Sequence, residues 1–324
     1  MKSLSFALIF ALMSLGFCLQ AYNPTLAMEF WKISGISYCS QQSIQNWNCG
    51  FLCNDLKGKV SYVHYYENNT FKGGLSYFMS RDDSNKFFIT AFRGTNSADQ
   101  LVWEIMQGTN VLYKLHNISG ATVTNYFYSA YKDYLRNDFM TNIKAAIAKY
   151  PTYTFVFTGH SLGGALTTHA ALDVVLSNLL PSSRVILYNY GSPRVGNFKF
   201  ASTVNSKISV VNRLVHYKDI VPHVPPCVTN TKGECQPTEG EVYGIPWPAW
   251  HIWPNQFYNE NSTSYVTCNG GEDPKCADQY TLAESSTKYH GNYLGLTISC
   301  GTQEIFPTDG PFVEGKDLFE YLSV

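Results

Sequence analysis

One stretch, Tyr153 to Leu172, leaves this chain few folds to choose from; from Thr154 it reads TFVFTGHSLGGALTTHAAL. The run Tyr153 to Thr158 is β-branched and aromatic and reads as a buried strand. It ends in Gly159-His160-Ser161-Leu162-Gly163, followed by Gly164 and an Ala/Leu-rich segment, Ala165 to Leu180, of helical composition. Strand, G-x-S-x-G, helix is the context of a nucleophile elbow. So tight a turn tolerates no bulk two residues before or after the serine. Ser161 is then held in a strained conformation at a strand end, its hydroxyl presented to substrate. The following helix points its first amides and positive dipole end at the same spot, so the Leu162 N–H is a natural oxyanion donor.

A nucleophile of this kind needs a sizeable core around it, and 324 residues with 45% hydrophobic content supply one. Length alone allows two domains, but an α/β fold of this size is commonly one, and no repeat or linker forces a split. We read residues 22–324 as a single domain. The net charge of -1 and the lack of basic clusters argue against a nucleic-acid partner. Residues 1–21 differ from the rest. Lys2 precedes an apolar run, Leu4 to Leu19, too short to span a membrane, with small residues near its end; this predicts a secretory signal peptide and no transmembrane anchor.

Nine cysteines are present, and removing the leader takes Cys18 with it, leaving an even set: Cys39, Cys49, Cys53, Cys227, Cys235, Cys268, Cys276 and Cys300. In a secreted chain that predicts disulfides. A zinc site would need reduced thiolates and suits the compartment poorly. Sequons at Asn68, Asn117 and Asn261 agree with secretion, whereas Asn23 is followed by proline.

Along the chain, Thr25 to Cys39 reads as a short helix and Gln41 to Lys57 as loop. Lys59 to Tyr66, Gly74 to Ser80 and Lys86 to Phe92 read as strands. Tyr126 to Tyr150 has a helical pattern ending before Pro151. After the elbow come two apolar strands, Arg184 to Tyr190 and Ile208 to Tyr217. Strands alternating with helices imply a mostly parallel sheet with helices on both faces, whose chemistry collects at the strands' carboxyl ends. Ser161, Gly191 and Asp219 fall at such ends.

A serine hydroxyl needs a base, and the base an orienting carboxylate. In elbow enzymes these follow in the order Ser, Asp or Glu, His. Asp219 stands where an apolar strand gives way to a loop. Glu234, Glu239 and Glu241 lie in a polar loop, and Asp173 lies on the elbow helix. His64, His116, His160, His169 and His216 precede Asp219, and His223 is too near it. His160 adjoins the serine, but neighbours on a strand point to opposite faces. That leaves His251, within an aromatic cluster, and His290, on a loop near the chain's end; order favours His290.

Four stretches together resemble one family, the secreted fungal-type (class 3) triacylglycerol lipases of the α/β-hydrolase fold. They are Ala91-Phe92-Arg93-Gly94-Thr95, Gly159 to Gly164, Gly191-Ser192-Pro193-Arg194-Val195-Gly196-Asn197, and Asp219-Ile220-Val221-Pro222-His223. The resemblance runs from about Ile33 to Cys300. It implies Ser161, Asp219 and His290 as a catalytic triad and Thr95 with Leu162 as the oxyanion hole. It also implies the disulfides Cys39–Cys300, Cys49–Cys53 and Cys268–Cys276; Cys227–Cys235 follows as the remaining, neighbouring pair.

The resemblance further implies a lid helix. Leu101, Val102, Ile105 and Met106 recur at helical spacing as an apolar stripe with Trp103 to its side, whereas the family's usual tryptophan falls near Leu101. Glu104 would hold Thr95 in place. The expected enzyme is a serine carboxylic ester hydrolase acting on triacylglycerols or related lipids, without metal or organic cofactor. Its partner would be a lipid substrate at an oil–water or membrane surface. It would be a monomer, secreted or delivered to the lumen of a digestive vacuole. A feruloyl-type or other soluble-ester esterase, or a phospholipase, would use the same fold; the apolar stripe favours lipid.

Overall fold

The structure, a computed structural model, describes residues 22–96, 102, 105, 109–227, 229–232, 234–236, 250–252, 255–304 and 314–316. The expected leader, residues 1–21, lies outside them.

Helix α1, Pro24–Ile36, starts where it does because Asn23 caps it, its side chain accepting from the amides of Thr25 and Leu26 at 2.9 and 3.2 Å, with proline in the first turn. Two further helices, α2 (Gln41–Gln45) and α3 (Phe51–Asp55), occupy the region that reads as loop. One turn each is too short for periodicity to register. Strands β1 (Val60–Asn68), β2 (Leu75–Asp82) and β3 (Phe87–Phe92) follow. A small hairpin, β4 (Asn110–Leu112) with β5 (Thr122–Thr124), precedes a long helical segment. That segment is α4 (Asn125–Ser129), a π-helical turn (Ala130–Leu135) and α5 (Arg136–Lys149). The π-turn buries Tyr131 so that its hydroxyl donates to Asp173 at 2.8 Å. Then come β6 (Thr154–His160), α6 (Leu162–Leu176), β7 (Val185–Tyr190), α7 (Phe198–Lys207), β8 (Val210–His216), β9 (Asn255–Tyr258) and β10 (Tyr265–Thr267).

Eight strands form one sheet in the order β1-β2-β3-β6-β7-β8-β9-β10. The five from β3 to β9 in that order are parallel, and the pairs at either end are antiparallel. Alternation along each strand divides the core. Phe155, Phe157 and Leu187 face α5, α6 and α7 on one side, while Val156, Ile186 and Tyr188 face α1 on the other. A side chain such as Phe155 or Phe157, buried completely, contributes roughly 1.5–3 kcal/mol.

The parallel register aligns the strand ends. Phe92 lies opposite Gly159, His160 opposite Tyr190, and Tyr190 opposite Leu214. Thr95, Ser161, Gly191 and Asp219 therefore emerge at one edge of the sheet. Among the described residues there are four disulfides: Cys39–Cys300, Cys49–Cys53, Cys227–Cys235 and Cys268–Cys276. The first fastens the end of the α1 segment to the strand pair beyond the histidine loop. Among the described residues, no helix is long and apolar enough to cross a membrane.

Candidate active site

The turn after β6 is set by two close approaches. A Cβ on Gly159 would fall 2.3 Å from the Gly163 carbonyl oxygen, and one on Gly163 would fall 2.1 Å from that of Phe92. Neither position has room for a side chain. Between them Ser161 takes φ 62 and ψ -132, a region costly for a non-glycine residue and held only when the surroundings over-determine it. Its amide donates to the Tyr190 carbonyl at 2.9 Å, and its own carbonyl accepts from Gly164. Its Oγ makes no hydrogen bond among the described residues. Leu162 is the first residue of α6, so its N–H has no intrahelical acceptor.

Asp219 follows β8 and is completely buried. Both of its carboxylate oxygens lie 2.9 Å from His290 Nδ1. The Val221 amide donates to Oδ1 at 3.0 Å, and the Tyr293 hydroxyl donates to Oδ2. A carboxylate can only accept, so His290 carries its proton on Nδ1 and Nε2 is left with its lone pair for a proton from elsewhere. Gly191 shows how near these groups are to the elbow. A Cβ there would lie 2.8 Å from Asp219 Oδ2 and 3.0 Å from His290 Cε1, while the preceding residue, Tyr190, accepts from the Ser161 amide. His290 and Ser161 are both fully buried, in surroundings where electrostatic interactions are stronger than in water.

Thr95 follows β3, 7% exposed, and its Oγ1 makes no hydrogen bond among the described residues. Its neighbour Gly94 is packed so closely that a Cβ would fall 3.0 Å from Ser161 Cβ. The end of β3 thus lies against the elbow at which α6 begins. Of the expected lid, Val102 and Ile105 are helical, fully buried, and part of the apolar cluster that contains Leu162, Ile220 and Val224. Leu101, Trp103 and Met106, and with them Glu104, lie outside the described residues.

The competing groups are engaged elsewhere. The imidazole of His251 meets Glu272 at 3.1 Å and the Pro222 carbonyl at 2.7 Å. Asp173 is buried on α6 between His116, Arg136 and Tyr131. Burial alone would raise its carboxyl, but those hydrogen bonds outweigh it and hold the group down at about 2. Glu234 is exposed and bonds Asn230, and Glu239 and Glu241 lie outside the described residues.

His160 keeps to the face that alternation gives it, toward α1 with Val156 and Thr158, where its ring meets Trp31, and there it also packs 4.3 Å from the ring of His290. Its Nε2 donates to the His290 carbonyl at 2.8 Å, and its Nδ1 accepts from the Tyr38 hydroxyl at 2.8 Å. Burial and the neighbouring His290 keep this ring well below the usual histidine range, hence neutral. Tyr293 and Val221 also escaped the sequence reading as Asp219 ligands. The available signal was that a buried carboxylate must find donors, and a tyrosine lies three residues after His290.

A strained serine at a strand end and a carboxylate-bound histidine against Gly191 at the end of the next strand, on a mostly parallel sheet, define an α/β-hydrolase. A sequence profile described as lipase (class 3) matches residues 89–229. Lipases of Rhizopus niveus and Rhizopus oryzae are each 37% identical over 208 residues, which is 61% of this chain and 50% of theirs. The secreted mono- and diacylglycerol lipase 1 of Fusarium solani is 32% identical over 157 residues, 48% of this chain and 45% of its own. The chain spans about half the length of the curated relatives it matches. Among solved structures, the Rhizomucor miehei lipase propeptide complex superposes with a TM-score of 0.71 at 26% identity, covering 86% of this chain and 82% of that one. Lipase II from Rhizopus niveus gives 0.70 at 25% identity over 85% and 96% of the two chains. In sequence profile and in fold the chain is similar to the fungal-type class 3 lipases.

Proposed function

We propose that the protein is a secreted serine ester hydrolase acting on triacylglycerols or related lipids, with Ser161, Asp219 and His290 as its triad. The observation that carries this is His290 Nδ1 bonded to both oxygens of Asp219, packed at Gly191, whose preceding residue accepts from the amide of a serine held at positive φ. Ser161 Oγ attacks the ester carbonyl carbon as His290 Nε2 takes its proton. Asp219 holds the imidazole in the tautomer that can accept and stabilises the imidazolium. The Thr95 hydroxyl and amide, with the Leu162 amide, bind the oxyanion. The tetrahedral species collapses by breaking the bond to the alcohol, which leaves with the proton from His290. Water then attacks the acyl-enzyme by the same route, releasing the fatty acid and restoring Ser161.

Lipid is favoured over a soluble ester because Ser161 and His290 are shut off from water while Val102 and Ile105 join the apolar cluster around Leu162. These two belong to the lid we propose, whose other expected members, Leu101, Trp103 and Met106, lie outside the described residues. Opening it in water exposes apolar area at about 25 cal/mol per Å²; at a lipid surface that cost falls. Four disulfides suit an oxidising destination, in keeping with a cleaved leader over residues 1–21. The remainder would act as one domain and as a monomer. The test is turnover on an ester series carried through its solubility limit, with a long-chain triglyceride emulsion at one end. A rate jump when aggregates form is expected. A smooth curve, with emulsion left untouched, would refute the lipid assignment, and full activity in Ser161→Ala would refute the chemistry.

A further inference from the structure

We propose that N-linked glycans on Asn68 and Asn261 shield the two open edges of the central sheet. An open sheet must end somewhere, and its last strands offer unpaired backbone groups to any other strand. Among the described residues those strands are β1 and β10; one sequon ends β1 and another lies in the turn that leads into β10. Asn68 is the last residue of β1. Asn261 lies in the turn between β9 and β10, closed by the Asn259 amide donating to the Ser264 carbonyl at 3.1 Å. The third sequon, Asn117, lies in the β4–β5 connection, on neither edge.

The β10 edge is the more vulnerable. The Asn259–Ser264 bond and the Cys268 amide's bond to the Asn255 carbonyl at 3.0 Å are turned toward β9. Antiparallel alternation therefore leaves the backbone of Tyr265 and Thr267 facing outward. The side chains there add apolar surface, Tyr265 being 41% and Val266 51% exposed. No described strand pairs with that edge. On β1 the exposed apolar residue is Val63, at 37%, in a bulge between Tyr62 and His64. The bulge blunts that edge; β10 has no irregularity in its register.

In both sequons the threonine bonds the asparagine Oδ1. Asn68 Oδ1 accepts from the Thr70 hydroxyl at 2.7 Å and amide at 3.0 Å. Asn261 Oδ1 accepts from the Thr263 hydroxyl at 2.6 Å and amide at 3.2 Å. The donor is a lipid-linked oligosaccharide pyrophosphate. Its sugar C1–O bond breaks, C1 bonds to asparagine Nδ2, and Nδ2 loses one proton as the lipid pyrophosphate departs. A bulky hydrated chain rooted at a strand's end keeps a second molecule from pairing there.

The test is to express the full chain in a glycosylating eukaryotic host, map occupancy by mass spectrometry, and measure solution mass by light scattering. Asn68 and Asn261 should be occupied and the protein monomeric. The double variant Asn68→Gln/Asn261→Gln should associate as concentration rises, to about twice the monomer mass or more, with unchanged turnover per active site on a soluble ester. Adding Val266→Lys should reduce that association by charging the edge. Should the double variant fail to fold, enzymatic removal of the glycans from the folded protein makes the same comparison. Unoccupied Asn68 and Asn261, a double variant as monomeric as its parent, or equal association by Asn117→Gln would each overturn the proposal.

Discussion

Replacing Asp219 by asparagine keeps the side chain's shape and changes only what its atoms can do. The carboxylate accepts from His290 Nδ1 with both oxygens at 2.9 Å, from the Val221 amide at 3.0 Å and from Tyr293. The Val221 N–H can only donate, so it fixes the amide oxygen of the variant at the Oδ1 position. The new NH₂ then takes the Oδ2 position, facing His290 Nδ1 and the Tyr293 hydroxyl. The hydroxyl can rotate to accept; Nδ1 accepts only if its proton moves to Nε2, the atom that must take the proton of Ser161. The negative charge that steadies the imidazolium is lost as well. An exchange of this kind costs roughly 10⁴-fold in kcat, about 5.4 kcal/mol of barrier at 1.36 kcal/mol per tenfold. The assay is kcat and KM on a soluble short-chain ester, with circular dichroism melting as a check on the fold. We expect kcat to fall by that order with KM little changed. A loss under about tenfold, in a folded variant, would refute the assigned role of Asp219.

Thr95→Val removes a buried hydroxyl and leaves the backbone amide, so kcat should drop by roughly 10² to 10³; unchanged kcat on the same soluble ester would leave the oxyanion to other donors. Cys39→Ser/Cys300→Ser unties a link spanning 261 positions and should cost about 2–5 kcal/mol of stability, read from denaturant midpoints with the slope held constant. The acid limb of stability should depend on Asp173, whose carboxyl sits at about 2 when folded against an ordinary 3.8. A depressed carboxyl stabilises the fold fully above its unfolded value and loses that contribution as pH falls toward its folded one, so the window is about pH 4 to 2, worth on the order of 2 kcal/mol. Asp173→Asn should therefore be the less stable protein at neutral pH and converge with the parent toward pH 2; a constant gap would contradict this.

The elbow was legible in the sequence because its demands are local. Strand composition, two glycines without room for a Cβ and a helix starting at once all lie within a few residues of Ser161. Asp219 and His290 could be ordered along the chain but not brought together by it. Their meeting depends on the register of β6, β7 and β8, which pairs Tyr190 with both His160 and Leu214. His160 could be assigned its face by alternation, toward α1 with Val156, but its contact with the His290 ring is tertiary and has no local signature. Helices α2 and α3 are too short to leave a period. The π-turn at Ala130–Leu135 interrupts a pattern that reads as one continuous helix, because its register answers to a distant Asp173. Tyr293 as a ligand of Asp219 is a tertiary fact with no local signature beyond its closeness to His290.

Active-site titration with a serine-directed phosphonate, followed by peptide mass spectrometry, tests the triad most directly. The account predicts one label per chain, on the peptide containing Ser161, with labelling lost in His290→Ala and in Ser161→Ala. A label on any other residue, or undiminished labelling of Ser161 without His290, would contradict it.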